Sequence, residues 1–271
     1  MRTVLLLLTS LICTTSFGQF SGLKGTWISS SNDVMFIDDE TNKADNSNML
    51  CTSKEEEGMA LYLLGDTLSF QKRYYSSATN FKKLYINRYD LIIVKRTQSK
   101  LIVKPCSKLS KKFFENRKII NFIKQEYNQD KSIIFEKIIY HTTSCFGSCP
   151  TIDLEIDKTK SVYLDGQFFK EYPDYEIDSI KSGQFKGKLT DSLFKELILI
   201  LQTSNLKTLK FPKIFGNDAP VTTLIIYYNG QRKYLKSMFP PTIANKLIEF
   251  LYLINQNTIL TRTDKKKTLE K

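Results

Sequence analysis

Residues 145–150 read Cys-Phe-Gly-Ser-Cys-Pro, and the stretches on either side of them both have the pattern of β-strands. Before this hexapeptide, residues 133–140 are rich in isoleucine and aromatic residues, which favour extended structure. After it, Ile152, Leu154 and Ile156 alternate with acidic residues, as in a strand with one buried face. The hexapeptide is therefore predicted to be a loop between two strands.

Farther along the chain, the pattern changes to helices and a hairpin. Thr190 is suited to cap a helix whose core face begins at Leu193 and recurs at helical spacing. Asn229-Gly230 predicts a two-residue hairpin turn, because both positions of a type I′ turn have positive φ. A last helix is predicted after Pro240-Pro241. The order strands, helix, hairpin, helix is typical of an α+β domain with an antiparallel sheet and two helices.

Residues 19–107 have the pattern of an all-β domain, in which turn residues separate short apolar runs at close spacing. Such a meander predicts a sheet that closes, or nearly closes, into a barrel. The motif Gly25-Thr26-Trp27 resembles the opening of lipocalin-like barrels, in which the tryptophan closes one end. A barrel of so few short strands is expected to fill its interior with side chains, and a cavity for an apolar ligand is the alternative.

The remaining segments are assigned by composition and spacing. Residues 108–130 carry isoleucines and a tyrosine at helical spacing, which predicts a helical connector. Residues 131–260 form the α+β domain that contains the hexapeptide. Residues 261–271 include Lys265-Lys266-Lys267 and are predicted to be a basic, disordered tail.

Residues 1–18 are predicted to be a secretory signal peptide that is cleaved after Gly18. Arg2 precedes an apolar segment of about ten residues, which is too short to span a bilayer. Cys13 as a lipid-attachment site is the alternative, although Ile12 stands where a lipobox has a small residue. The mature chain is expected to be exported, to the periplasm or to the extracellular space.

The chain has 271 residues, of which 41% are apolar, and a formal net charge of +12. This length accommodates two domains of ordinary size. The lysines are scattered and form no compact basic motif, so no specific nucleic-acid partner is expected. A weak contact with a polyanion through the basic surface is the alternative. No stretch beyond the signal peptide is long and apolar enough to predict a transmembrane helix.

The sequence carries no motif of a familiar catalytic class. It has one histidine and no Gly-x-Ser-x-Gly nucleophile elbow. It has neither a Walker motif nor a dinucleotide-binding glycine motif. The acidic residues between 152 and 158 are expected to line the solvated face of their strand, where they would not act as a glycosidase pair. These observations favour a non-enzymatic protein.

Four features of the second half occur together in one order. They are the hexapeptide after a strand, the strand at 152–156, a glycine-containing step at 183–189 before a helix, and Asp218-Ala219-Pro220 before a hairpin. This combination resembles a family of exported bacterial proteins called domain of unknown function 6438, whose signature is C-F-G-x-C-P. The resemblance covers roughly the second half of the chain. It implies a fold unit and a site, without a reaction.

Cys145 and Cys149, together with Phe146, Gly147 and Pro150, form the candidate site, and three chemistries are open. One is a structural disulfide, because Cα atoms four residues apart come within about 6 Å in a turn. Another is redox exchange, because C-x-x-x-C-P resembles the motif of thioredoxin-like copper-insertion proteins. In those proteins a helix follows the motif and a histidine lies downstream, whereas here a strand follows and the histidine is missing.

The third chemistry is a metal site. His141, Cys145, Cys149 and Asp153 are evenly spaced and include the only histidine of the chain. Two thiolates, one imidazole and one carboxylate suit Zn(II) or Cu(I). An exported environment favours oxidation of the thiols, so no cofactor is expected.

Other residues are candidates for supporting roles. Cys51 and Cys106 both fall in the first domain and are candidates for a second disulfide. Asp218 is expected to be a turn or cap residue, and a hydrogen bond to the hexapeptide is the alternative. The sequence as a whole favours an exported, non-enzymatic module that binds a ligand or an envelope protein. A redox or metal-handling protein that uses Cys145 and Cys149 is the alternative.

Overall fold

The computed structural model describes residues 22–38, 47–52, 56–170, 176–214, 216 and 218–271. The predicted signal peptide, with Cys13, lies outside these residues. The chain divides into two compact units, the first ending at Tyr127 and the second beginning at Asn128. No helix within the described ranges combines the length and the apolar character that crossing a membrane requires.

The first unit is a closed barrel of eight antiparallel strands, which confirms the predicted barrel-like fold. Consecutive strands pair along the chain, and the last strand pairs with the first. The strands are β1 Gly25–Ser29, β2 Val34–Ile37, β3 Asn48–Cys51, β4 Glu56–Leu64, β5 Thr67–Tyr75, β6 Leu84–Arg96, β7 Lys100–Pro105 and β8 Ile120–Lys124. A six-residue helix, α1 Lys108–Phe113, lies between β7 and β8.

Side chains fill the interior of the barrel. One cluster of buried apolar residues takes members from all eight strands, and Trp27, Phe70 and Phe122 are among its large members, each at most 1% exposed. The indole Nε1 of Trp27 donates to the backbone oxygen of Leu23 at 2.6 Å, which satisfies the polar atom of the ring inside the core. This packing agrees with the expectation of a filled barrel.

The predicted helical connector at 108–130 is wrong beyond its first turns. After α1 the chain reverses at Glu115 and Asn116, which both have positive φ, and then enters β8. Ile120 and Phe122 are buried with the period of two that a strand gives, and β8 closes the barrel by pairing with β1 and β7. Apolar residues at this spacing fit either structure locally, and the two open strand edges of β1 and β7 favour the strand.

The second unit is an antiparallel sheet with helices, as the predicted α+β class requires. Its strands are β9 Phe135–Thr142, β10 Thr151–Asp157, β11 Ser161–Gln167, β12 Gly183–Lys188, β13 Thr222–Tyr228, β14 Gln231–Ser237 and β15 Leu260–Arg262. They lie in the order β14-β13-β9-β10-β11-β12-β15. The helices are α2 Asp191–Thr203, α3 Asn245–Tyr252 and the short α4 Ile254–Asn257.

Two of these elements begin and turn where the sequence predicts. Thr190 caps α2, because its hydroxyl accepts the backbone N–H of Leu193 at 3.3 Å. Asn229 and Gly230 form the turn between β13 and β14 with φ values of 51° and 69°.

The helices cover one face of the sheet. Tyr140, Leu154 and Leu224 lie side by side on β9, β10 and β13 and are at most 1% exposed. At the start of β9, Phe135 contacts Phe194 of α2 edge to face, with the ring centroids 6.0 Å apart. Burial on this face raises the pKa of the Tyr140 hydroxyl above its ordinary value, and the nearby Tyr252 of α3 raises it further.

We call the opposite side of the sheet the outer face. It carries Ile139, Glu155 and Ile225 in one row across β9, β10 and β13. The C-terminal segment, residues 264–271, covers part of it, and Leu269 packs there with Ile139, Ile225 and Tyr163.

The prediction of a disordered tail at 261–271 is therefore wrong. The first two residues of this range belong to β15, which pairs with β12 along Phe185–Gly187. Leu269 is only 6% exposed. The lysine-rich composition predicted disorder, because composition does not reveal that Leu269 packs against residues on distant strands.

Candidate functional site

The motif loop, residues 143–150, joins β9 to β10, and its two cysteines lie at disulfide distance. The Cα atoms of Cys145 and Cys149 are 5.5 Å apart, a separation that a disulfide accepts. Gly147 between them has a φ of 138°, a conformation that glycine adopts without the strain that other residues meet. Of the three chemistries that the sequence left open, a bridge across the loop agrees with this geometry.

The ends of the motif loop are anchored, whereas its tip is in solvent. The hydroxyl of Thr142 donates to the backbone oxygen of Pro150 at 2.9 Å. The backbone N–H of Thr143 donates to the oxygen of Val221 at 3.2 Å, and the N–H of Val221 donates to the Thr143 hydroxyl at 2.9 Å. Phe146 at the tip is 92% exposed. The loop thus holds an aromatic ring in solvent on a fixed support.

His141 and Asp153 form a pair on the outer face, next to the motif loop. They lie opposite each other in the β9–β10 register, and the Nδ1 of His141 is 2.5 Å from a carboxylate oxygen of Asp153. The hydrogen bond from His141 lowers the pKa of Asp153, and the charges of His141, Lys271 and Lys266 lower it further against the opposing effect of burial. Asp153 is therefore a carboxylate that accepts a hydrogen bond from the ring.

The other nitrogen of His141 reaches the C-terminal segment. Its Nε2 lies 2.6 Å from the backbone oxygen of Glu270. A carbonyl oxygen can only accept a hydrogen bond, so Nε2 donates, and the carboxylate of Asp153 likewise only accepts. Each ring nitrogen of His141 therefore lies at hydrogen-bond distance from an oxygen atom, and the ring links the sheet to the C-terminal segment.

Lys267 makes two further contacts between the C-terminal segment and the outer face. Its Nζ lies 2.5 Å from a carboxylate oxygen of Glu155 on β10. Its backbone N–H donates to the hydroxyl of Tyr163 on β11 at 3.0 Å. The side chain of this lysine and its backbone are thus both held by the sheet.

Glu270 is held on the same outer face by residues of β13 and β14. Its carboxylate accepts the Nε–H of Arg232 on β14 at 2.7 Å and the hydroxyl of Tyr227 on β13. The hydrogen bond from Tyr227 lowers the pKa of Glu270, and Arg232 lowers it further. The hydrogen bond to this carboxylate also raises the pKa of the Tyr227 hydroxyl. Glu270 is therefore ionised in this position.

Beside Lys267 a cavity of about 410 Å³ opens on the outer face. Strands β10, β11, β12 and β15 supply its walls. Its charged and aromatic lining residues are Glu155, Asp157, Tyr163, Lys186, Lys188 and Lys267. The outer face therefore extends beyond the part that the C-terminal segment covers.

The four proposed metal ligands come together only in pairs. His141 lies with Asp153, and Cys145 lies with Cys149. Within the described part of the chain, no group of three or more His, Cys, Asp and Glu side chains could hold a metal ion. A bridge between the cysteines also engages both sulfur atoms, so this set of residues does not fit a Zn(II) or Cu(I) site.

The predicted second disulfide, between Cys51 and Cys106, is wrong. Cys51 ends β3 and Cys106 follows β7, so the two lie on opposite sides of an eight-stranded barrel. Neither cysteine forms a disulfide. The Sγ of Cys106 instead donates to the backbone oxygen of Asp90 at 3.3 Å.

Asp218 does not support the motif loop through a hydrogen bond. It is exposed, it lies three residues before Val221, and it hydrogen-bonds to none of the described residues of the loop. The contact between this segment and the loop is made by the backbone of Val221 instead.

The outer face and the C-terminal segment were missed at the level of sequence, although two signals were present. Strand β13 reads Thr-Thr-Leu-Ile-Ile-Tyr-Tyr and is buried at all but one position. A continuous apolar run of this kind indicates a strand that is covered on both faces. Leu269 is the second signal, because it stands alone as an aliphatic residue between Lys265 and the end of the chain.

A protein-family model matches the second half of the chain. The model of a domain of unknown function (DUF6438) matches residues 136–254, which confirms the resemblance predicted for the second half. The matched residues lie within the second unit and include the motif loop. No curated protein matches the chain.

Proposed function

We propose that the protein is an exported, non-enzymatic binding module of the cell envelope that contacts its partner through the motif loop. The exposure of Phe146, 92%, is the observation that carries this proposal. Burying a side chain of this size contributes about 2 kcal/mol to stability, and Phe146 forgoes it in the free protein. A partner that covers the ring would recover this free energy.

The support of the loop favours the same function. The cysteines lie at disulfide distance on both sides of Phe146, and Thr143 exchanges two hydrogen bonds with Val221. A contact that is already ordered in the free protein loses less conformational entropy when a partner binds. The loop therefore has the properties of a pre-organised binding element.

Export is part of the proposal and rests on the predicted signal peptide. A cysteine pair at disulfide distance is consistent with it, because disulfides persist in oxidising compartments. The intact mass of protein from the periplasmic fraction tests this point: the expected chain begins at Gln19. A chain that retains residues 1–18 in the cytosol would contradict export.

The test of the loop contact is site-specific photo-crosslinking in cells. A benzoyl-phenylalanine replaces Phe146 in the full-length chain, and Ile259, which is 91% exposed in the same unit, provides the matched control position. We expect a discrete cross-linked product from position 146 that is absent from position 259. No product at 146, or the same products at both positions, would contradict the proposal.

A redox protein is the second candidate, and the accessibility of the cysteines favours it. Cys145 and Cys149 are both partly exposed, so a small reductant can reach the pair. Thiol alkylation followed by intact-mass measurement distinguishes the two functions. Two alkylated thiols after mild reduction of the native protein would favour redox exchange, whereas resistance until the protein is denatured would favour the structural role.

A further inference from the structure

We propose that the outer face of the sheet is a peptide-binding site and that the C-terminal segment occupies it as an internal ligand. The partner that fits this site is an extended peptide of another protein with a lysine, an aliphatic residue and an acidic residue in the order of Lys267, Leu269 and Glu270. This proposal names the partner chemistry of a second contact of the binding module and rests on the function proposed above.

An apolar socket supplies the anchor of this site. Leu269 is 6% exposed and packs against Ile139, Tyr163 and Ile225, whereas Thr268 beside it is exposed. The Leu269 side chain is therefore buried against the sheet, whereas the adjacent Thr268 remains exposed to solvent. Recognition by a single buried anchor is a common feature of peptide-binding surfaces.

Charges on both sides of the socket select the residues around the anchor. Glu155 holds the Lys267 ammonium on one side, and Arg232 with Tyr227 holds the Glu270 carboxylate on the other. The outer face thus carries charges of both signs, with Asp153 and Glu155 on β10 and Arg232 on β14. A basic residue before the anchor and an acidic residue after it are thus both matched.

Two of the hydrogen bonds involve backbone atoms of the bound segment. His141 donates from Nε2 to the oxygen of Glu270, and the N–H of Lys267 donates to the hydroxyl of Tyr163. Such contacts are available to any extended peptide in this register. They allow a partner with other side chains between the anchor positions.

The tether explains why the site is closed in the free chain and can still open. The residues between Arg262 at the end of β15 and Lys267 are few, so the segment is held near the face at an effective concentration on the order of millimolar. Within the segment, Leu269 alone is buried. The cavity beside Lys267 offers a longer peptide contacts that the internal ligand does not make.

The test measures binding of a labelled peptide with the sequence of residues 265–271, Lys-Lys-Lys-Thr-Leu-Glu-Lys, by fluorescence anisotropy. The full-length chain is compared with Leu269→Ala, which releases the internal ligand, and with Thr268→Ala, which alters an exposed neighbour. We expect the peptide to bind Leu269→Ala about tenfold more tightly than it binds the other two, because no internal ligand competes. A peptide with alanine in place of its leucine should not bind.

Glu270→Ala is a second releasing variant, in case Leu269→Ala does not fold as judged by circular dichroism. The proposal is overturned if a folded releasing variant fails to bind the peptide. It is also overturned if the wild-type chain and the releasing variants bind equally, or if the alanine peptide binds as well as the parent. Failure here with an intact cross-link at Phe146 would leave the motif-loop function standing, and the reverse pattern would remove that function alone.

Discussion

Asp153 shows how one residue connects the sheet to the C-terminal segment. It accepts a hydrogen bond from His141, and the positive charges of Lys266 and Lys271 act on it from the segment. These contacts lower its pKa in the folded protein, with the hydrogen bond from His141 as the largest cause. The ionised form of Asp153 is therefore favoured by folding.

The lowered pKa predicts a dependence of stability on pH. A carboxyl group whose folded-state pKa is depressed stabilises the fold fully above its unfolded value, about 3.9, and loses this contribution as the pH falls through the folded pKa. We expect Asp153→Asn to be less stable than the wild type at neutral pH and the difference to shrink below about pH 4. Urea unfolding between pH 7 and pH 3 measures it. A difference that stays constant over this range would contradict the assignment.

The closeness of His141 and Asp153 follows from the sequence, whereas their role does not. Two strands joined by the motif loop place residues at matching distances from the loop opposite each other, and His141 and Asp153 are such a pair. The second partner of His141 is Glu270, 129 positions away along the chain. No local pattern encodes a contact of that separation, so the sequence suggested a metal ligand where the structure has a hydrogen-bonded link.

At the scale of elements, two positions of the second unit require glycine for different structural reasons. Gly230 has a φ of 69°, and a Cβ added there would meet nothing within 4 Å. Gly187 on β12 has no positive φ, but a Cβ added there would lie 2.6 Å from the backbone oxygen of Ile259 and 2.7 Å from the Leu260 side chain. The first glycine makes a turn possible, and the second lets β15 approach the sheet.

This contrast predicts different effects of alanine. Gly230→Ala should cost about 1 kcal/mol of unfolding free energy through backbone strain and leave β15 in place. Gly187→Ala should cost about 2 kcal/mol through overpacking and loosen the edge strand β15. Urea unfolding gives the free energies, and hydrogen exchange of the Leu260–Arg262 amides shows which variant releases the strand. Protection of these amides that survives in Gly187→Ala would contradict the prediction.

The elements that could be predicted are those whose signals are local. The hairpin at Asn229-Gly230 and the cap at Thr190 depend on residues within a few positions of each other, and both are confirmed. Strand β8 depends on the open edges of β1 and β7, which are close to it only once the barrel forms. The burial of Leu269 depends in the same way on the apolar socket, which residues of β9, β11 and β13 form together.

At the scale of the molecule, the two units have separate buried clusters, one inside the barrel and one beneath the C-terminal segment. Trp27 is the only tryptophan of the chain and is fully buried in the barrel cluster. Its fluorescence therefore reports the first unit alone, whereas far-UV circular dichroism reports both. Comparison of the two signals therefore shows which unit a substitution destabilises.

Leu269→Ala should act on the second unit alone. The variant loses the burial of one leucine side chain on the outer face, which contributes about 2 kcal/mol to the free energy of unfolding. Because the segment can then detach from the face, we expect no loss of stability beyond that of the segment's own contacts. We expect the circular dichroism transition to shift to lower urea while the Trp27 transition stays where it is in the wild type. Thr268→Ala, at an exposed position, should shift neither. If the Trp27 transition moves with the circular dichroism transition, the C-terminal segment stabilises the barrel as well, and its proposed role as a displaceable ligand of the outer face alone would be wrong.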